Sequence, residues 1–145
     1  IIMFKVTEQS MMEALDGFMM PYNYPVYSMV FNMSSFFASR KNSSYGFLAV
    51  NDNGYFLVAE YSIFGEKGRH LIMFDNISKL KVKKAAFGLS CRIILEALCE
   101  GKKLRLDISV PLKVGGNGFD DQKQNLQHLI DALSRCPAFE GTNVL

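Results

Sequence analysis

The stretch GFLAVNDNGYFLVAEY, residues 46–61, decides the fold of this chain. Two apolar runs, Gly46–Val50 and Tyr55–Tyr61, flank the polar segment Asn51-Asp52-Asn53-Gly54. An Asn-Gly step supplies the positive backbone dihedral angles that a tight hairpin turn requires, and aromatic and β-branched residues beside it favour strands. The stretch therefore predicts an antiparallel β-hairpin, around which the rest of the chain is arranged.

Further strands are predicted on both sides of this hairpin. Upstream, the polar cluster at residues 39–44 separates it from another apolar and aromatic run, and downstream short apolar runs alternate with polar turns. The seven predicted strands are Val26–Ala38, Gly46–Val50, Tyr55–Tyr61, Arg69–Phe74, Ile77–Lys84, Cys91–Leu98 and Lys103–Val110. Strands spaced this closely, with no helix between them, indicate an antiparallel meander that forms a barrel or a sandwich.

A short helix is predicted near the N-terminus. Ser10 and Glu13 have the spacing of a capping box, in which a serine hydroxyl and a glutamate carboxylate satisfy unpaired amides at the start of a helix. We expect this helix to continue to about Phe18 and to stop before Pro21 and Pro25, because proline cannot continue a helix. Residues 1–25 are therefore predicted to form a helix and a crossover rich in proline and tyrosine.

A second helix is predicted after the last strand. Asp120 is a plausible N-cap, and the helix should end near Cys136, before Pro137. Its apolar stripe follows the spacing i, i+3, i+4, i+7 and consists of Leu126, Leu129, Ile130 and Leu133. The predicted division of the chain is thus residues 1–25, a main domain at residues 26–136, and a loosely held tail at residues 137–145.

Composition restricts the class of protein. The chain has 145 residues, of which 49% are apolar and 21% charged, as expected of one globular domain. A net charge of +2 is too small for a dedicated nucleic-acid binder, so no nucleic-acid partner is expected. Three cysteines without metal-ligand spacing, and no apolar run of about 18 residues, favour a cytoplasmic location. The sequence begins at Ile1, which leaves open whether residues precede it and whether an export signal has been removed.

The order of these elements is that of the pleckstrin-homology-like (PH-like) fold. The segments GFLAVND (46–52), FLV (56–58), ISKLKVKK (77–84) and FG (87–88) resemble the bacterial PH-like domains, over about residues 26–136. In those domains a G-x-L-x-V-T-x-x-R strand pair precedes an I-x-x-V strand and a turn with glycine. The resemblance implies a mainly β (α+β) fold: a bent, antiparallel, seven-stranded barrel capped by the C-terminal amphipathic helix, with a short N-terminal helix outside it.

The loop before the hairpin is the first candidate binding site. Arg40, Lys41 and Ser43 offer two cations and a hydroxyl, which suit a phosphate at the mouth of a barrel. An ordinary polar hairpin tip explains the same residues, so both interpretations stay open.

Three lysines on one predicted strand are the second candidate. Lys79, Lys81 and Lys83 alternate with Leu80 and Val82, so the lysines share one face of the strand and the aliphatic side chains share the other. We call these three residues the lysine ridge. It could attract an anionic membrane or an acidic partner, but lysines on an outward strand face also keep such faces in solution.

No pattern in the sequence indicates catalysis. His70 and His128 are not close in sequence to a serine, cysteine or carboxylate pattern that would activate a nucleophile, so no enzyme, catalytic residue, metal or cofactor is expected. The first hypothesis is therefore a binding or assembly module that contacts a protein partner or forms a homo-oligomer. The alternative is peripheral binding of anionic lipid, or of another ligand that contains phosphate, through the Arg40-Lys41 loop.

Overall fold

The computed structural model describes residues 6–34, 44–62, 64–115 and 118–142. Its elements are two helices, α1 (Glu8–Asp16) and α2 (Gln122–Leu133), and eight strands. The strands are β1 (Asn23–Asn32), β2 (Ser44–Asn51), β3 (Tyr55–Ser62), β4 (Gly65–Met73), β5 (Ile77–Ala85), β6 (Ser90–Cys99), β7 (Lys102–Pro111) and β8 (Phe139–Thr142). The fold is therefore mainly β with two helices.

All eight strands belong to one sheet with the order β4-β3-β2-β1-β7-β6-β5-β8. Strands β1 to β7 pair in antiparallel fashion, and β1 joins the two halves through its pairing with β7. The sheet is not closed into the predicted barrel, because β4 and β8 each have a hydrogen-bonded strand on one side only. The seven predicted segments each overlap one strand.

The eighth strand corrects two expectations at the C-terminus. The segment predicted as a loose tail contributes Phe139–Thr142, which pairs with β5 between Leu80 and Lys83. This pairing is parallel, so the sheet is not wholly antiparallel. The physical reason is that β5 has a free edge beyond its pairing with β6, and any extended segment that returns beside it can satisfy those backbone groups.

The central hairpin forms as predicted, with a turn that differs in detail. Asn51 pairs with Tyr55, and the amide of Gly54 donates to the carbonyl of Asn51 over 3.1 Å. Only Gly54 in this turn has a positive φ, of 87°. A three-residue loop that ends in a left-handed glycine is the second common way to close a hairpin, so the Asn-Gly step contributes its glycine alone.

Two apolar cores explain why the sequence of β2 is a continuous apolar run. Leu48 and Val50 face the core shared by both halves of the sheet and α2, whereas Phe47 and Ala49 face a second core under α1. Every residue of β2 is consequently buried. A strand covered on both faces needs no polar alternation, and this is the pattern seen in the sequence.

The start of α1 lies three residues upstream of the predicted one. Thr7, not Ser10, is the N-cap, and its hydroxyl accepts from the amide of Ser10 over 3.0 Å. The amide of Thr7 in turn donates to the hydroxyl of Ser10 over 2.9 Å, so Ser10 has the reciprocal role that Glu13 was expected to have. A serine hydroxyl accepts the same bond as a glutamate carboxylate at this position, and α1 ends at Asp16 rather than at Phe18.

Helix α2 lies against the beginning of β1. The buried amide side chain of Gln122 accepts from the amide of Tyr27 and donates to the carbonyls of Tyr27 and Pro111, over 2.9–3.0 Å. The predicted N-cap Asp120 is displaced by one residue, since Asp121 precedes the helix and makes no side-chain capping bond. Anchoring by Gln122 replaces capping as the interaction that fixes this end of the helix.

Candidate functional site

The lysine ridge lies on the outward face of β5, as predicted. Leu80 and Val82 are buried in the main core, while Lys81 and Lys83 are exposed. Lys79 is half-buried, and its ammonium group lies 3.5 Å from the carboxylate of Glu96 on the neighbouring strand.

Acidic groups neutralise part of this face. Glu96 also lies 3.6 Å from the guanidinium of Arg105, and Asp107 accepts two hydrogen bonds from Arg92, of 2.6 and 2.9 Å. This bidentate bond is the main reason why the pKa of Arg92 is raised. Within the described residues, Lys81 and Lys83 make no ion pair, so the free positive charge of the ridge is concentrated on these two.

Arg40, Lys41 and Ser43 lie outside the described residues. The chain on either side of that segment is held firmly. The hydroxyl of Ser44 is within hydrogen-bond distance of two acceptors, the carbonyl of Val30 at 3.0 Å and the carboxylate of Glu60 at 2.9 Å. The amide of Arg105 donates to the hydroxyl of Ser34 over 2.9 Å.

A buried carboxylate organises the strand ends that precede and follow residues 35–43. Glu60 is 2% exposed, and four side chains surround it, which together with it we call the Glu60 cluster. Its Oε1 lies 3.0 Å from Nε2 of His70 and 3.1 Å from Nδ2 of Asn32. Its Oε2 lies 2.9 Å from the hydroxyl of Ser44 and 3.4 Å from Nζ of Lys67. Strands β1, β2, β3 and β4 each contribute to the cluster, at the end of the sheet away from α2.

The surroundings of Glu60 keep it ionised. Burial raises the pKa of this carboxyl, but hydrogen bonds from His70, Asn32 and Ser44, and the charge of Lys67, outweigh burial and lower it to about 2. A carboxylate with so low a pKa is a weak general base near neutral pH, where the best bases have pKa values close to the ambient pH. Both oxygens are also occupied, so the cluster is suited to holding the four strands together.

The sequence contains a signal for this cluster in the alternation of two strands. By alternation, Glu60 lies on the same face of β3 as the buried residues Phe56 and Val58, and His70 lies on the same face of β4 as the buried Ile72. A glutamate and a histidine that share a face with buried apolar residues predict a buried polar pair. Their contact depends on the register between β3 and β4, which alternation alone does not determine.

The other reactive side chains are not activated. Burial is the first cause that raises the pKa of all three thiols, with Cys91 at about 11, so these cysteines are protonated near neutral pH. His128 is exposed on α2, as expected, and its ring stacks on Tyr24 with 5.1 Å between centroids. In residues 6–34, 44–62, 64–115 and 118–142, no group of three or more metal-ligating side chains occurs. Within the same ranges, neither helix is long and apolar enough to cross a membrane.

Comparison with known proteins gives a likeness of fold. No family model and no curated protein matches the sequence. Among solved structures, the hSac2 domain from human phosphoinositide phosphatase Sac2 is similar, with a TM-score of 0.51 and 12% sequence identity. The alignment covers 98% of this chain and 93% of that chain. At this identity the likeness concerns the arrangement of the chain, not its chemistry.

Proposed function

We propose that this protein is a non-catalytic binding module of PH-like type that acts through protein–protein contacts or self-association. The strand order β4-β3-β2-β1-β7-β6-β5 followed by a helix against the sheet supports the PH-like part of this proposal. The finer form of the same proposal is a seven-stranded, strongly bent open sheet, β1 to β7, capped by α2, with β8 as an addition at its edge.

The observation that carries the binding role is the edge strand β4. It has nine residues, pairs with β3 on one side only, and leaves Leu71 and Met73 exposed near its end. Charged side chains of Glu66, Lys67 and Arg69 protect the first half of this edge against indiscriminate pairing. The second half lacks such protection by charged side chains. The carbonyl of Leu71 accepts from the thiol of Cys99 over 3.5 Å, and the exposed side chains of Leu71 and Met73 offer an apolar surface beside this edge to a second copy.

Self-association through this edge is tested by the particle mass in solution. We expect light scattering after size exclusion to give a multiple of 16.3 kDa that rises with protein concentration. Leu71→Lys should return the particle to 16.3 kDa, because a charge is then placed on the unprotected half of the edge. Met12→Lys is the control, since it charges an exposed apolar residue on α1, away from this edge, and should leave the mass unchanged. A wild-type monomer at every concentration would contradict self-association.

Peripheral binding of anionic lipid or phosphate is the second candidate function. It is favoured by the two ridge lysines, Lys81 and Lys83, which have no ion-pair partner within the described residues. Each lysine near an anionic membrane surface contributes about 1 kcal/mol of attraction. The Arg40-Lys41 loop would add two further cations.

Vesicle co-sedimentation separates the two candidates. We expect binding to vesicles that contain phosphatidylserine, not to phosphatidylcholine alone, and a loss of binding as salt screens the attraction. Lys81→Glu/Lys83→Glu should weaken binding through the ridge, and Arg40→Glu/Lys41→Glu should weaken it through the loop. Neither pair should change the particle mass if β4 is the assembly edge. Binding that is insensitive to both reversals would exclude an electrostatic role for these four residues.

A further inference from the structure

We propose that the turn between β5 and β6 is a membrane-insertion site, in which Phe87 and Leu89 enter the interfacial layer of an anionic bilayer. Neighbouring lysines then bind the lipid phosphates. This inference rests on the second candidate function and assigns it a different surface from the Arg40-Lys41 loop. We call Phe87 and Leu89 the apolar tip.

The apolar tip is exposed to an unusual degree for side chains of this kind. Phe87 is fully exposed and Leu89 is 71% exposed. Isolated exposed apolar residues are common on protein surfaces, but two large ones at the end of one turn leave a convex apolar surface in water.

The backbone holds the apolar tip in place. Ala86 and Phe87 have positive φ values of 50° and 57°, which side-chain-bearing residues rarely adopt, and Gly88 follows with 85°. The amide of Leu89 donates to the carbonyl of Ala86 over 3.1 Å, which closes the turn, and the amide of Leu112 donates to the carbonyl of Leu89 over 3.1 Å. The turn is thus tied to the end of β7, and strain of this type persists where the surrounding structure over-determines it.

Four lysines surround the tip. Lys113 and Lys123 line a groove of about 370 Å³ together with Leu89 and Leu112. Lys83 and Lys84 lie at the end of β5, immediately before the turn. None of the four forms an ion pair within the part of the chain that the structure describes. The acidic residues close to Lys123 in sequence are Asp120 and Asp121, which precede α2. An apolar tip with a cationic border is complementary to an anionic bilayer, whose headgroups carry the phosphates and whose interior is apolar.

The convex shape favours a bilayer over a protein partner. A protruding turn of two side chains buries little area against a folded protein, far below the roughly 1,000 Å² that a specific interface needs. A bilayer surrounds such a protrusion on every side, so both side chains leave water while the neighbouring lysines reach the phosphates of the headgroups.

The test uses the absence of tryptophan from this chain. Phe87→Trp introduces a single fluorophore at the tip, and its emission should shift to shorter wavelength when vesicles of phosphatidylcholine with phosphatidylserine are added. Phe64→Trp is the matched control, since Phe64 is 94% exposed in the turn between β3 and β4. Its emission should stay where it is in buffer. Equal shifts at both positions, or no shift at Phe87→Trp while the protein co-sediments, would overturn the proposal.

A second variant removes the apolar side chain without disturbing the turn. Asparagine tolerates the left-handed region far better than phenylalanine, so Phe87→Asn should melt at or above the wild-type temperature. Its partition onto the anionic vesicles should nevertheless fall about tenfold, as expected when one aromatic side chain no longer leaves water. Phe64→Asn should change partition less than twofold. Unchanged partition of Phe87→Asn would refute insertion.

A lysine variant keeps this proposal distinct from the second candidate function. Lys113→Gln/Lys123→Gln should lower partition onto anionic vesicles about thirtyfold, whereas Lys102→Gln/Lys103→Gln, which removes two exposed lysines at the start of β7, should lower it much less. If Arg40→Glu/Lys41→Glu abolishes binding and the tip variants leave it intact, the second candidate function stands and the tip proposal fails. If no variant binds any vesicle, and the wild type does not either, both fail.

Discussion

Glu60→Ala should lower the free energy of unfolding at pH 7 by about 3 kcal/mol, the range expected when one partner of a buried ionic network is removed. The loss has two sources: the carboxylate no longer accepts its hydrogen bonds, and the part-buried side chains of Asn32 and His70 lose their acceptor, whereas the hydroxyl of Ser44 keeps the Val30 carbonyl. Urea unfolding at pH 7 measures the change. Glu66→Ala is the matched control, because its ion pair with Arg69 is exposed and should contribute less than about 1 kcal/mol.

The same carboxylate should make stability depend on pH in a defined window. The pKa of Glu60 is lowered from 4.5 to about 2 in the folded protein, so the unfolded chain binds a proton at higher pH than the folded one. The stability contributed by Glu60 is therefore present in full above about pH 4.5 and is lost as the pH falls through about 2. The shift corresponds to roughly 3 kcal/mol. In Glu60→Gln this part of the acid dependence should disappear, and an unchanged acid profile would contradict the assignment.

Gly46→Ala should destabilise the protein by about 3 kcal/mol, at the upper end of what overpacking costs. A Cβ atom at this position would lie 2.6 Å from the carbonyl oxygen of Ala59 and 2.9 Å from Cγ2 of Val30. The first contact is with the backbone of a paired strand, which cannot move aside without breaking the ladder between β2 and β3.

Gly115→Ala is the control for this substitution. A Cβ at Gly115 would meet no atom within 4 Å, and such replacements are neutral or slightly stabilising because they restrict the unfolded chain. Thermal unfolding of the two variants separates steric overlap from a general effect of losing glycine. Similar melting temperatures for both would show that β2 accommodates the methyl group.

The strands were predictable because side-chain alternation and turn chemistry are local. The pattern of Lys79, Lys81 and Lys83 against Leu80 and Val82 predicts which face of β5 is buried without knowledge of any other strand. The start of α1 was missed for a related reason, since both Thr7 and Ser10 can cap a helix and only the fold selects between them. Strand β8 has no pattern of its own, and its formation depends on the free edge of β5.

The candidate site was less predictable than the fold. The lysine ridge follows from one strand, so its exposed face could be predicted. The Glu60 cluster combines four strands whose relative register is set by packing, so no segment of the chain contains it. The exposure of Phe87 is a property of a turn whose left-handed backbone is unexpected for alanine and phenylalanine. Sequence patterns predict the usual conformation of a residue, and the tip departs from it.

The pairing of β1 with β7 has a consequence for how the chain folds. Strands β1 to β4 pair with their neighbours in sequence, and so do β5 to β7, and among the described strands the backbone ladder that joins the two halves is the one between Met29–Asn32 and Leu106–Ser109. Bringing together strands so far apart in the chain carries a large loop-closure entropy, which is offset only after both meanders have formed. We therefore expect the two halves to assemble locally first and the pairing of β1 with β7 to form last. If this pairing is slow, the edges of β1 and β7 stay exposed for the longest time during folding.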